Sequence, residues 1–423
     1  MKKLCLTVLG LYLLLLNAFS QSVVKGYPSV AERKAPMEYI DKPLHLEETN
    51  IVSSYYNQNG NHSAVTGGNG TEKVTDISNG IELKFVSSDF LGHKYTLTTG
   101  LGIDHHTAAS SAYVSKTGAS STGGTRVYPS VNYSVENKKG TVVGFGAYYS
   151  GEYNYHSFAL DANYAHKIGM GGELSSKVSA YMDKVKLIYP SELIPTPVVT
   201  SPTAITSASG RTYNSGGQGE ENNRTPSSPR NTYTGSVVYS QIINKNLQAS
   251  VLVDLVAQHG YLSLPFHRVY FTDASVQVEN LPNQRNKIPI GLRVNYFLGD
   301  NIIFRSYYRY FTDDWGIKAH TASLEIPVKI TPFFSVSPFY RYYTQTASNY
   351  FAPYAQHATA DKYYTSNYSY SALNSNYFGV GFHYAPPGGI GKTNLSSLEV
   401  RYGHYTQTTD LNSNIVSLAL QFK

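Results

Sequence analysis

Between Asn79 and Phe85 the chain alternates residue by residue: Ile81, Leu83 and Phe85 fall on one side, and Gly80, Glu82 and Lys84 on the other. A two-residue period marks an extended strand with unlike faces, because successive side chains leave a strand in opposite directions. The pattern recurs from Tyr95 to Asp104, where Tyr95, Leu97, Leu101 and Ile103 oppose Thr96, Thr98, Gly100, Gly102 and Asp104. Val127, Val131, Tyr133 and Val135 alternate with Arg126, Ser130, Asn132 and Ser134. Leu247, Val251, Val253 and Leu255 oppose Gln248, Ser250, Asp254 and Gln258, and Ile288, Ile290, Leu292 and Val294 oppose Gly291, Arg293 and Asn295. Sixteen candidate strands follow, at 46–56, 76–87, 93–105, 125–136, 141–150, 157–168, 173–188, 232–243, 246–258, 287–298, 301–312, 317–330, 332–345, 374–385, 394–406 and 413–422.

The connections alternate as well. Short turns fall near 88–92, 136–140, 168–172, 243–246, 298–301, 330–332 and 385–392, and long ones at 57–75, 106–124, 189–231, 259–286 and 346–373. Segments of about ten alternating residues, joined by short turns at one end and long loops at the other, are the pattern of an outer-membrane barrel. A soluble β-sandwich also alternates, but here the polar faces carry full charges and the opposite faces almost none. The expected fold is all-β: a closed antiparallel transmembrane β-barrel of 14 to 18 strands over 46–423. An even count sends both ends to the periplasmic side. The last strand, with Val416, Leu418, Leu420 and Phe422 on one face, resembles the closing strand that barrel-assembly machinery reads.

The first residues point to export. Lys2 and Lys3 precede an apolar run from Leu4 to Leu16, and Ala18 and Ser20 suit a signal-peptidase site. That run is too short for a membrane span, so 1–20 reads as a signal peptide and 21–45 as a short periplasmic segment. Cys5, the single cysteine, lies inside that signal, so thiolate chemistry is not expected in the processed protein. The chain has 38 tyrosines and 35 glycines, yet only 15% charged residues. Tyrosine suits both strands and membrane–water boundaries. The net charge of +6 comes from scattered residues with no Lys/Arg block, which argues against a nucleic-acid partner.

The alternation assigns Glu82, Lys84, Arg126, Asp161, Lys167, Lys177, Asp183, Asp254, Arg293, Arg305, Arg309, Glu325, Lys329, Arg341, Glu399 and Arg401 to the lumen side. An Arg or Lys on the lipid face at mid-depth would cost about 2–4 kcal/mol, so these groups belong in water or in pairs. Arg293, Arg305, Arg309 and Arg341 stand on nearby strands, either as a basic row that attracts anions or as solvated wall residues. Two rim groups are candidates for metal or acid–base work. Asp104 and His106 share a face, whereas His105 points away. Asp313 and Asp314 precede Trp315 in what also reads as a tight external hairpin, with Trp315 at the lipid interface. The bland reading is preferred for both, because no nucleophile or oxyanion donor accompanies them. Pro386 to Thr393 has the outline of a phosphate loop, but Pro386 stands where glycine is needed and no βαβ unit surrounds it, so it reads as a turn. Tyr189 to Asn231, with six prolines, reads as an external loop that either hangs in solvent or enters the lumen.

Three runs carry a family resemblance: Asn57 to Asp76, Tyr308 to Thr321 and Ser337 to Tyr354. They resemble the domain-of-unknown-function 3570 family of Gram-negative outer-membrane β-barrel proteins. The resemblance implies a barrel, no assigned activity or functional residues, and a setting beside periplasmic thioredoxin-like and flavin-transferase-like proteins. The expected function is porin-like passage of small hydrophilic solutes, without enzymatic activity or cofactor. The expected surroundings are outer-membrane lipid, assembly machinery and a periplasmic partner protein. The alternatives are a surface receptor or adhesin, or an enzyme built into the barrel.

Overall fold

A strand inside lipid must place every backbone N–H and C=O on a neighbouring strand, and only a closed sheet does this without leaving an edge. The computed structural model, which describes residues 41–107, 124–152, 154–190, 193 and 226–423, meets that demand. Its strands are β1 (Lys42–Asn59), β2 (Val74–Ser88), β3 (Lys94–His106), β4 (Gly124–Glu136), β5 (Val142–Glu152), β6 (Tyr155–Ile168) and β7 (Gly172–Lys186). They continue with β8 (Ser227–Asn244), β9 (Leu247–Gly260), β10 (Arg268–Tyr270), β11 (Val276–Val278), β12 (Gln284–Leu298) and β13 (Ile302–Asp313). The last six are β14 (Lys318–Glu325), β15 (Val328–Thr331), β16 (Phe334–Gln345), β17 (Leu373–Tyr384), β18 (Leu395–Gln407) and β19 (Asn412–Phe422).

Strands β10 and β11 form a separate hairpin inside the β9–β12 connection. Strands β14 and β15 share one stave between β13 and β16. Pro327, which has no N–H to donate, interrupts that stave. Its neighbours hold the line: Ile326 N donates to Pro338 O at 3.0 Å, and Pro327 O accepts from Ile303 N at 3.0 Å. Sixteen antiparallel staves result, each paired with the next in sequence. Strand β1 pairs with β19 from Thr49↔Phe422 to Asn59↔Asn412 and closes the ring. Register shifts in β1, β8, β15 and β18 all lie near the short-turn rim, where bulges adjust barrel closure.

Several segments differ from the sequence reading. Strand β1 begins at Lys42, so the tail of the expected 21–45 segment is strand. Strand β8 begins at Ser227, inside the expected 189–231 loop. The expected signal peptide 1–20 and most of 21–45 and 189–231 lie outside the described residues. The run from Pro386 to Thr393 is a turn with a single short helical turn at Ile390–Lys392, and no phosphate loop forms.

The two faces of the wall differ sharply. Outward rows such as Ile77 and Ile81 on β2, Leu101 and Ile103 on β3, and Val251, Val253 and Leu255 on β9 are exposed large apolar side chains. An apolar groove of about 780 Å³ opens on this surface around Ala162, Ala180, Gly235 and Ala257, rimmed by Phe145, Leu255 and Ile288. Lipid is the solvent that such a belt requires. On the inner face, glycines sit beside aromatic rings. A Cβ on Gly102 would meet the Tyr128 ring, one on Gly403 the Tyr377 ring, and one on Gly379 the Phe339 ring, all closer than real contacts allow. These rings therefore lie against the wall over neighbouring glycines.

At the short-turn rim, the Asp89 carboxylate accepts from His93 N at 2.8 Å, from the Tyr95 hydroxyl at 2.9 Å, and pairs with His93 Nδ1 at 2.9 Å. Desolvation works to raise this carboxyl, but those donors outweigh it and hold Asp89 down to about 2. A depressed carboxyl stabilises the folded turn above its unfolded pKa, and that contribution is lost only as pH falls through the folded value. Carboxyl carbon NMR should therefore find Asp89 ionised down to about pH 2, and Asp89→Asn should loosen the turn at neutral pH.

The face assignment has a one-residue test in β8. Val237 points outward, while Ser236 faces Asp254 and Lys177 across the inner wall. Val237→Arg should destabilise the folded barrel by about 2–4 kcal/mol in urea titration in lipid. Ser236→Arg should stay within about 0.5 kcal/mol. Equal losses from the two would contradict the register.

Candidate functional site

The ladder register gives twelve of the sixteen charges expected at the lumen their neighbours on adjoining strands. Arg305 pairs across the ladder with Glu325, and Arg309 stands opposite Gly291 and Thr321. Arg293 stands opposite Tyr307 and Ser250, and Arg341 opposite Ser323 and Tyr377. Glu399 and Arg401 face His383 and Gly381. On the remaining staves Glu82 and Lys84 stand opposite Asn50 and Glu48, Arg126 faces Asp104, Asp161 faces Ser179, and Asp254 faces Ser236.

Water reaches this wall from the short-turn rim. Toward that rim the side chains of Arg305 and Lys177 are 47% and 46% exposed. Toward the long-loop rim, Asp313 and Asp104 are 0% and 3% exposed. The gradient has a structural cause. Three long-loop connections fold together into a cap: 60–73 after β1, 261–283 after β9, and 346–372 after β16. The first two leave the ring eight staves apart, on opposite sides. They nevertheless touch. Val65 packs on Phe266, Arg268 Nη1 donates to Val65 O at 2.8 Å, and Tyr270 lies against Gly67. Tyr368 of the third loop stacks on His62 at 3.8 Å between ring centres. Loops rooted on opposite walls meet only by crossing the mouth.

The cap has its own core. Leu262, Leu281, Trp315, Ile317 and Tyr370 are buried together, with the inward Phe311 packed beneath them. Val269, Phe271 and Tyr364 form a second apolar cluster. Between the clusters the Glu279 carboxylate is almost fully buried, facing His267 Nδ1 at 3.4 Å. It accepts from Leu264 N at 2.7 Å and from the Thr365 hydroxyl at 2.5 Å. Such an arrangement is tolerable only with most of its hydrogen bonds made. Burial pushes the Tyr370 phenol up to about 12, the expected response of an ionisable group in a dry core.

Both rim candidates for metal or acid–base work are already engaged. Asp104 accepts from Arg126 Nε at 2.9 Å, from the Ser78 hydroxyl at 2.9 Å and from the Tyr128 hydroxyl at 2.7 Å. His106 turns to Glu152 at 3.3 Å, and His105 points outward to Thr125. Asp313 takes Arg285 on the inside, whereas Asp314 accepts from Asn286 N and Nδ2 at the exposed surface. Adjacent residues in a strand-like hairpin diverge, so these two carboxylates do not converge on a common ligand. Among the described residues no group of three or more His, Cys, Asp or Glu side chains is arranged to hold a metal ion. Trp315 corrects a further expectation. It is buried in the cap, with its indole N–H donating to Gln284 O at 2.8 Å, rather than standing at the lipid interface.

The basic row is also revised. Arg305 lies 3.9 Å from Glu325, which also receives Arg401 Nη1 at 3.0 Å. That leaves Arg293, Arg309 and Arg341, and among the described residues none of these three forms an ion pair.

The family described as "Protein of unknown function (DUF3570)" matches residues 109–419. The chain belongs to that family. No curated protein matches this DUF3570 member. Solved structures with a similar course include the Pseudomonas aeruginosa protein OpdQ, at 9% identity and TM-score 0.42, covering 90% of this chain and 98% of that one. The outer membrane protein OprD from the same organism gives 10% identity and TM-score 0.42, over 91% and 94% of the two chains. A loop-deleted form of OmpT, an outer membrane protein of Vibrio cholerae, gives 7% identity and TM-score 0.45, over 90% and 100%.

The polar core of the DUF3570 cap was not apparent in the sequence, because Glu279, His267 and Thr365 carry no periodic signal and meet only after folding. Removing Glu279 strips the acceptor from three donors at once. Glu279→Ala should raise hydrogen exchange across 261–283 and 346–372 by an amount corresponding to about 3–5 kcal/mol. The staves should keep their protection; exchange rising equally in β3 and β18 would mean that the cap is not a separate unit.

Proposed function

We propose that this barrel is a porin-like passage for small hydrophilic solutes in the outer membrane of a Gram-negative bacterium, with its external mouth closed in the resting state. One observation carries the reading: a ring of sixteen staves holds an inner wall of charged side chains, solvent-exposed toward the short-turn rim, while its outer wall is apolar. A barrel of this strand number is wide enough for an aqueous channel. Passage then requires the loops 60–73, 261–283 and 346–372 to separate, which makes the cap the gate.

Planar-bilayer recording tests this directly. The complete protein should show brief, infrequent openings. Glu279→Ala, which weakens the cap core, should lengthen them several-fold without changing the unitary current. Silence from both proteins, together with no liposome swelling, would overturn the passage reading.

The cap favours a second reading, as a surface receptor. Its separate buried core presents a folded external face, which loops without such a core would not offer. A stable complex with an external ligand, formed by a non-conducting barrel, would support that role in place of passage. A periplasmic partner and the lipid surroundings fit either role, the partner meeting the short-turn rim.

A further inference from the structure

Among the described residues eight arginines stand on the inner face of the staves, and five have a carboxylate. Arg126 takes Asp104, Arg230 takes Asp183 and Arg285 takes Asp313. Arg305 faces Glu325, and Arg401 contacts both Glu325 and Glu399. The remaining three are neighbours. Arg293 on β12, Arg309 on β13 and Arg341 on β16 occupy one stretch of wall, with a single stave between the last two. The wall supplies aromatic surface instead of counter-charge. Arg293 lies over the Tyr307 ring at 5.9 Å, and Arg341 over the Tyr377 ring at 5.1 Å. Tyr343, on β16, lies within electrostatic reach of both Arg309 and Arg341. Asp254, the nearby acid on β9, reaches Tyr307 electrostatically but pairs with none of the three arginines.

We propose that Arg293, Arg309 and Arg341 form an anion-binding site in the lumen, taking small solutes that carry two or more carboxylate or phosphate groups. Three arguments support this. First, three uncompensated guanidiniums within four consecutive staves repel one another, and a multivalent anion relieves that repulsion. Second, a guanidinium stacked on a ring keeps its N–H edges free and pre-organised for bidentate contact with an oxyanion. Third, Arg293 and Arg341 lie three strand spacings apart, about 14 Å between backbones. Two side chains of that length, converging from a concave wall, span a molecule of a few carbons with anionic ends.

The site also has a defined depth. Phe311, the next inward residue above Arg309 on β13, packs under the cap core. The three arginines therefore form the wall just below the closed mouth, at the end of the water-exposed part of the lumen. The inference rests on the passage reading for the route by which solute arrives, but binding itself needs only an open short-turn side.

Isothermal titration of the complete, detergent-solubilised protein with citrate and with inorganic phosphate provides the test. Citrate should bind more tightly than phosphate, and more weakly as KCl rises. The triple variant R293Q/R309Q/R341Q should lose at least about tenfold in citrate affinity, a difference of about 1.4 kcal/mol. R309K, which keeps the charge but loses the fork, should lose part of it. K177Q, which removes a partly exposed cation on β7, outside the stretch from β12 to β16, should bind as the parent does. In bilayers the triple variant should also shift the reversal potential in a KCl gradient away from anion preference. Citrate binding lost in the triple variant but retained in K177Q, with no conductance from either, would sustain the site and sink the passage. Equal citrate affinity in the parent and the triple variant, with an unchanged reversal potential, would overturn the site and leave the passage standing.

Discussion

Hydrogen bonding in hydrocarbon is the constraint from which this structure follows. A backbone amide without a partner in lipid costs several kcal/mol, so the sheet must close on itself. The pairing of β1 with β19 provides that closure. Once the sheet is closed, the two-residue period of each strand becomes an inside and an outside. Most large aliphatic side chains of the staves go to the lipid, and most of their charged ones go to the inner side. The small inner residues then have a purpose. Glycines at Gly102, Gly379 and Gly403 let tyrosine and phenylalanine rings lie against the wall instead of filling the bore.

How much of this could be read from the residues depends on range. Alternation is local, and it located the sixteen staves to within a few residues at most of their ends. It could not reveal the break at Pro327, because the residues on both sides of that proline keep the strand pattern and the neighbouring staves keep their register. Facing direction was equally legible, since a strand that alternates has only two choices. Partnership was not. Whether Arg305 is free depends on Glu325, and whether Glu325 is shared depends on Arg401, three staves away. No spacing in the chain encodes that distance.

The cap shows the same limit more strongly. Trp315 next to two aspartates reads as an interfacial hairpin, which is the common use of those residues. It is instead a core residue, because loops from other staves arrive to cover it. The polar centre at Glu279 is assembled from Leu264, His267 and Thr365, which share no repeat. All three runs that resemble the family, Asn57 to Asp76, Tyr308 to Thr321 and Ser337 to Tyr354, enter the cap or its core, whereas the staves are defined by pattern more than by particular residues.

The position of the two halves of the cap also bears on how the molecule is made. Val65 and Phe266 are about two hundred residues apart, and they meet only because the ring brings opposite walls to a fixed separation. Before the seam is sewn, joining them would mean closing a very long chain segment for a small contact, which is entropically unfavourable. The Val65–Phe266 contact is therefore coupled to closure of the ring. Covering of the mouth and closure of the circumference thus stabilise one another.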